Sequence, residues 1–281
     1  MPARVSHAAT PVAGAVAAFA MRGKRKMLER HLRRVTNEIS DRELHRASRR
    51  ALTSYVRYYA ESFRLPRLSA SVVAERFKVD GFEHVEAGLE RGNGVILALP
   101  HLGGWEWAGR WMTDRGHKLH VVVEPLRPPE LFEWFTQLRS DLGMSVMPLG
   151  PNVAVEVSAA LKRNEIVCLL CDRDIQRNGI AVTMFGEETT LPAGPAMLAI
   201  RTGATLLPTA VYFGDAMGEH QALVKPHLGI ERSGRLRDDV AVLTGRLAEE
   251  LEDLISRAPD QWHLLQPNWP SDPGYQIPSG Q

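Results

Sequence analysis

The segment Leu99-Pro100-His101-Leu102-Gly103-Gly104-Trp105-Glu106 sets an imidazole and a carboxylate five residues apart. An imidazole that is neutral near pH 7 can take the proton from a hydroxyl as that hydroxyl attacks a carbonyl. A carboxylate on the second ring nitrogen would fix the tautomer and stabilise the imidazolium that forms. Further polar groups recur along the chain: Glu124 in Val121-Val122-Val123-Glu124-Pro125, Arg139 in Gln137-Leu138-Arg139-Ser140, and the run Asp172-Arg173-Asp174. A His, an Arg and several carboxylates at successive strand ends make a candidate acid–base site. Plainer roles compete with this one. A helix dipole alone favours Glu106 in a first turn, His101 could cap a turn, and Asp172-Arg173-Asp174 could be a capped turn with a surface salt bridge.

Several other patterns lead nowhere. His117 and His120 stand three apart at a strand entry, where strand geometry points them to opposite faces, so they make a poor metal pair. Cys168 and Cys171 have the spacing of a redox or zinc half-site. No second pair exists to complete a zinc site, and Ile166-Val167-Cys168-Leu169-Leu170-Cys171 reads as a buried strand. Core packing in a reducing compartment is the expectation for both. Gly92-Asn93-Gly94 precedes a strand, whereas a dinucleotide loop follows one. There is no P-loop, no Gly-x-Ser-x-Gly elbow and no His-Glu-x-x-His. Covalent Ser or Cys chemistry therefore has no support, and no metal ligand is assigned.

The elements that must hold these residues alternate in type. Residues 24–65 read as helical, with apolar spacing at Leu44, Ala47, Ala51, Tyr55, Tyr58 and Tyr59, and Pro66 stops them. From Phe77 the pattern changes. Strands are expected at 94–99, 119–123, 144–149, 166–171, 206–213 and 222–227, with 180–185 as an edge strand. Helices are expected at 105–114, 128–142, 153–163, 194–202 (ended by Gly203) and 240–257. This is an α/β protein with a mostly parallel sheet flanked by helices on both faces and a basic helical N-terminal segment. In such sheets ligands bind beyond the carboxyl ends of the strands, which is where His101, Glu124 and Asp172 fall. Residues 1–67 form the basic segment and 68–281 the α/β part. No linker cuts the chain, so one continuous domain is expected. The tail from Pro267 is rich in Pro, Gly and Ser, and its far end is expected to be loose.

With 281 residues, 44% hydrophobic and 24% charged, the composition is that of an ordinary globular protein. No apolar run approaches the roughly 18–20 residues of a spanning helix, which excludes a polytopic membrane protein. The net charge of +1 hides a split, because residues 1–67 hold 15 Lys/Arg against 5 Asp/Glu. A basic arm of this kind suits a polyanion. The weakly apolar stretch Val12–Met21 is followed by Arg22-Gly23-Lys24-Arg25-Lys26, the reverse of a signal peptide's order. It reads as an amphipathic segment of an unexported protein lying on an anionic membrane surface. No zinc-finger spacing or aromatic RNA-binding signature is present, so nucleic acid is not the expected partner.

These residues also resemble a known family. His101-Leu102-Gly103-Gly104-Trp105-Glu106 is similar to the His-x4-Asp/Glu motif of glycerolipid and lipid A acyltransferases. Asp172-Arg173-Asp174, then Gly179–Gly186, Leu191-Pro192-Ala193-Gly194-Pro195-Ala196 and Thr202-Gly203-Ala204 resemble the lipid A late-acyltransferase family in order and spacing. The ending Trp262-His263-Leu264-Leu265-Gln266-Pro267 looks like its phosphatidylinositol mannoside branch. The resemblance runs from about residue 45 to 270. It implies transfer of a fatty acyl group, usually palmitoyl, from acyl-CoA to a mannose hydroxyl of a glycolipid, with no further cofactor. It also implies a peripheral position on the cytoplasmic face of the plasma membrane. His101 would be the general base and Glu106 the motif carboxylate. Asp172 would be a possible second partner of His101, and Glu124, Arg139 and Asn178 would line the substrate site. Backbone N–H groups from Gly103 to Glu106, at a helix start, are candidate donors to the oxyanion. Trp105, Trp107, Trp111, Trp134 and Phe135 would either wall an acyl tunnel or pack the core. Three competing readings are a lipid A precursor as acceptor, a non-catalytic lipid-binding protein, and a metal-dependent hydrolase using His117, His120 and Glu124.

Overall fold

A computed structural model describes residues 22–36, 39–125, 128–229 and 232–276. The stretch Val12–Met21 and the last five residues lie outside them. The N-terminal helical reading needs correction. The stretch 24–65 is two helices, α1 (Arg22–Val35) and α2 (Asp41–Arg64). The break lies at Ser40, which caps α2 reciprocally with Glu43, satisfying two backbone donors that a helix start leaves open. Leu28 and Leu32 of α1 bury against Leu44, Ala47 and Leu52 of α2, with Leu265 from the C-terminal segment closing this small core. No helix among the described residues is long and apolar enough to cross a membrane.

The α/β part opens with a short helix α3 (Ala70–Glu75), strand β1 (Phe77–Asp80) and helix α4 (Phe82–Glu90). Then follow β2 (Val95–Leu99), α5 (Trp105–Thr113), β3 (Leu119–Val123), α6 (Pro129–Asp141), β4 (Ser145–Pro148), α7 (Val153–Lys162) and β5 (Ile166–Leu170). After β6 (Ile180–Met184) and β7 (Glu187–Leu191) come α8 (Gly194–Thr202), β8 (Thr205–Phe213), β9 (His220–Val224) and α9 (Leu236–Ser256). Seven strands form one sheet in the order β1-β9-β8-β2-β5-β3-β4. Every neighbouring pair is parallel except β8 with β9. The strand expected at 222–227 lies slightly earlier, because His220 pairs with Phe213 as β9 turns back along β8. The strand expected at a sheet edge, 180–185, pairs only with β7 in a separate antiparallel hairpin.

Burial explains the mostly parallel core. All five residues of β2 are buried, as a strand covered on both faces requires. Val95, Leu97 and Leu99 meet Trp107, Trp111 and Phe135 on one face. Ile96 and Ala98 meet Leu161, Leu247 and Leu251 on the other. Cys168 and Cys171 divide between the same two faces, as strand alternation demands, and neither is in a disulfide. Helices α5 and α6 thus cover one side of the sheet and α7, α8 and α9 the other. The carboxyl ends of β2, β5 and β3 lie side by side.

Candidate active site

His101 follows β2 by two residues, Asp172 follows β5 by two, and Glu124 directly follows β3. The β2–β5 register aligns Leu99 with Leu170 and so brings His101 against Asp172, 71 positions later in the chain. His101 Nδ1 lies 2.6 Å from Asp172 Oδ1, and the His101 backbone N–H donates to Asp172 Oδ2 at 2.9 Å. The imidazole side chain is 27% exposed and borders the cavity, whereas Asp172 is fully buried. Burial pushes the Asp172 carboxyl up. The adjacent His101 charge, with hydrogen bonds from His101 and Trp262, outweighs that and holds it below the usual carboxylate range. With an anionic acceptor on Nδ1, the ring's Nε2 is the atom left to take a proton. Among the described residues it has no hydrogen-bond partner.

The loop between β2 and α5 has little freedom. Gly103 has φ 64°, and a Cβ there would stand 1.8 Å from the Val211 carbonyl oxygen. A Cβ on Gly104 would meet His220 Nε2 at 2.5 Å. These contacts give Gly103-Gly104 a physical reason. Gly103 also donates its N–H to Gln261 O at 3.0 Å. That N–H is therefore removed from the oxyanion donors expected over Gly103–Glu106.

Glu106 does not pair with His101. It points from the first turn of α5 into a buried trio, where Tyr58 OH donates to Oε1 at 2.8 Å and Arg139 Nη2 donates to the same oxygen at 2.6 Å. Arg139 Nε reaches both oxygens, at 3.1 and 3.2 Å. Burial opposes the Arg139 charge, but Glu106 and Tyr58 more than offset it and raise the guanidinium above its usual value. Burial, and then the Glu106 charge, push the Tyr58 phenol well up. Tyr58 was visible in the sequence only as one apolar position of a helix.

The remaining expected residues gather at the same cavity. Glu124 accepts from Arg173 Nη1 at 3.1 Å. Asp174 is 3% exposed and ties its own loop together by accepting from Gly179 N and Thr190 Oγ1. The plainer reading of Asp172-Arg173-Asp174 holds in part: Asp174 caps the turn by accepting from Gln176 N at 3.2 Å, and Arg173 is ion-paired with the partly exposed Glu124, whereas Asp172 is buried against His101. Asn178 sits on this loop at the cavity edge, with its amide 3.5 Å from Gln176 Oε1. The histidines of the metal reading are elsewhere. His120 pairs with Glu165 at 2.8 Å, and His117 packs its ring on Phe82.

The cavity holds about 930 Å³ and reaches both faces of the sheet. One arm runs beneath α5 between Leu97, Trp111, Val211 and Ala222, and its walls are apolar. Its far end, at Val79, Phe82 and Val224, lies under β9 and β1. With strands about 4.8 Å apart, β1 stands roughly 14 Å from β2. The other arm lies between α7 and α8, with Val157 and Met197. Trp107 is core, whereas Trp105 borders the cavity. Behind Trp105 sits His263, whose Nε2 meets Ser54 Oγ at 2.9 Å. Burial, and secondarily the charge of His101, push the His263 imidazole down to about 3.

The site sets the His101–Asp172 pair beside a large, mostly apolar cavity. The chain matches the bacterial lipid A biosynthesis acyltransferases over residues 1–271. It belongs to that acyltransferase family. The phosphatidylinositol mannoside acyltransferase of Mycolicibacterium smegmatis is 40% identical over 270 residues, covering 93% of this chain and 85% of that protein. The protein of the same name from Mycobacterium tuberculosis is 41% identical over 227 residues, 79% of this chain and 70% of its own. A lipid A biosynthesis acyltransferase of Haemophilus influenzae is 24% identical over 192 residues, 67% of this chain and 57% of its own. The acyltransferase family thus joins a cavity lined by the sequence-expected His101, Glu106, Glu124, Arg139 and Asn178, with Asp172 fully buried against His101. Tyr58 and Arg173 also line it, and Trp262 meets Asp172 by its indole N–H; the sequence assigned none of the three a site role, though Arg173 stands within the run Asp172-Arg173-Asp174. The only signal for them was pattern, an apolar helical stripe for Tyr58 and the family-like ending for Trp262.

Proposed function

We propose that this acyltransferase moves a long-chain fatty acyl group, palmitoyl or similar, from acyl-CoA to a mannose hydroxyl of a phosphatidylinositol mannoside. The observation that carries the chemistry is the His101–Asp172 pair, with its second ring nitrogen unpartnered among the described residues and the imidazole lining a mostly apolar cavity. His101 Nε2 takes the hydroxyl proton as the oxygen attacks the thioester carbonyl. Asp172 holds the imidazolium that forms. The tetrahedral intermediate collapses by expelling the CoA thiolate, and the proton on Nε2 passes to that sulfur. No acyl-enzyme is formed. General-base assistance of this kind contributes about 10²- to 10⁴-fold.

The apolar arm is the place for the acyl chain, since burying each CH₂ gains about 0.8 kcal/mol. Arg173, Glu124 and Asn178 present polar atoms at the mouth, where a sugar would sit. The mannoside is preferred to a lipid A precursor because the mannoside relatives are about 40% identical and the lipid A relative 24%. The basic helices α1 and α2 suit the cytoplasmic face of an anionic membrane, where both amphiphilic substrates reside. The test is to incubate the protein with palmitoyl-CoA and either a phosphatidylinositol mannoside or a lipid A precursor. Thiol release and product mass are followed together. A product heavier by one acyl group on the mannoside alone is expected. Acylation of the lipid A precursor alone would reverse the choice of acceptor.

A further inference from the structure

Asp172 is held by more than His101. Its carboxylate is fully buried and receives three hydrogen bonds on two oxygens. Oδ1 faces His101 Nδ1 alone. Oδ2 takes the His101 backbone N–H and, at 2.7 Å, the indole N–H of Trp262. The terminal torsion of an Asp side chain is broad, so a carboxylate without these anchors could turn and offer either oxygen. Of the two anchors, the indole is the one a side-chain substitution can remove.

Trp262 is fully buried and fixed from several sides. Its ring packs on Phe185, His31 and Trp269, at centroid distances of 5.9, 5.6 and 6.3 Å. A strand-like bridge joins Trp262 to Leu102. Beside it His263 N donates to His101 O at 2.7 Å. The C-terminal segment therefore templates the very loop that carries His101. Asn268, from the same segment, donates to the Asp172 backbone carbonyl at 3.0 Å. Core packing alone would explain a large buried ring here. It would not explain why that ring's one donor is aimed at Asp172.

We propose that Trp262 is a positioning residue of the transfer reaction, its indole N–H locking the Asp172 carboxylate so that Oδ1 meets His101 Nδ1. This rests on the reading of His101 as general base. Without the N–H, fewer molecules hold His101 in the working orientation, and kcat falls. The carboxylate also becomes a less stabilised anion and holds the imidazolium more tightly. The acidic limb of kcat/KM then moves to higher pH. The other charged and titratable groups around the pair stay as they are. They are His263 on the same segment, Cys171 beside Asp172, the Tyr58–Glu106–Arg139 trio, Glu124 with Arg173 at the cavity, and His31 with Asp272 behind the indole.

The experiment replaces Trp262 with β-(3-benzothienyl)alanine, which keeps the ring shape and puts sulfur where the N–H was. Trp262→Phe and His101→Ala are measured alongside. Transfer from palmitoyl-CoA to a phosphatidylinositol mannoside is followed across pH. The benzothienyl protein should keep the wild-type circular dichroism and KM while kcat drops about 10- to 100-fold, the range for losing one hydrogen bond to a charged group. Its acidic limb should rise by about 0.5–1 pH unit. Wild-type kcat and limb in that protein, with His101→Ala inactive, would overturn the Trp262 assignment alone. So would a slower enzyme whose limb has not moved, because a packing defect does just that. Wild-type transfer by His101→Ala would instead overturn the general-base reading. If Trp262→Phe does not fold, the benzothienyl protein decides the matter by itself.

Discussion

Glu106 and Arg139 offer a sharp test of what the motif carboxylate does. Glu106 is 2% exposed, and Arg139 meets both its oxygens from a side chain only 12% exposed. Removing one partner of a buried ion pair strands the other charge, at a cost of about 3–5 kcal/mol. At roughly 2–4 °C per kcal/mol, Arg139→Met should lower Tm by roughly 6–20 °C. Glu106→Gln should cost a similar amount, since it leaves the guanidinium without its counter-charge. The double variant Glu106→Gln/Arg139→Met has no stranded charge, so it should be more stable than the two losses added together. Denaturant unfolding of the four proteins gives this coupling directly. A further consequence separates Glu106 from Asp172. In folded Glu106→Gln the pH profile of transfer should keep its acidic limb, because that carboxylate touches Tyr58 and Arg139, not His101. Two single variants within about 1 kcal/mol of wild type, with additive effects, would mark the pair as an ordinary exposed one and refute the reasoning.

Other expectations follow from the same geometry. Asp172 is held below the usual carboxylate range, so its stabilising contribution is complete above about pH 4 and is lost as pH falls through its lowered native value. Asp172→Asn should therefore flatten the acid limb of stability, read from unfolding midpoints between pH 5 and 2, and should abolish transfer. His263 has the same sign in a higher pH range. With a native value of about 3, its contribution is full above the unfolded value near 6.5 and falls by about 2 kcal/mol by pH 5. His263→Phe should remove that decline from denaturation curves at the two pH values, and an unchanged decline would contradict it. Ala222 faces the apolar arm from β9. Ala222→Phe should fill the arm and lower kcat/KM for long-chain acyl-CoA far more than for short-chain acyl-CoA, and equal losses would place the chain elsewhere.

Much of this fold was legible because its strands are buried on both faces. Val95–Leu99 and Ile166–Leu170 are continuous apolar runs bounded by turns, and each became a central strand. Polar or weakly patterned elements were harder. Glu187–Leu191, a polar-rich strand, gains its partner only through the turn at Phe185-Gly186, so the sequence alone shows one edge strand where the fold has a hairpin. The break between α1 and α2 was present as Ser40-x-x-Glu43, but the apolar stripe on either side masked it. Within the site, strand ends identified His101, Glu124 and Asp172. The choice between Glu106 and Asp172 as partner of His101 could not be read locally. It depends on the β2–β5 register, which brings residues 71 apart into contact. A long-range contact of this kind leaves no trace in local spacing.

The central claim is that the His101 imidazole removes the acceptor's proton. It is tested most directly by measuring palmitoyl transfer and palmitoyl-CoA binding side by side in wild type and His101→Ala. Transfer should fall by at least about 10²-fold, while the thioester still binds with wild-type affinity because the apolar arm is untouched. Transfer at the wild-type rate in His101→Ala would contradict it.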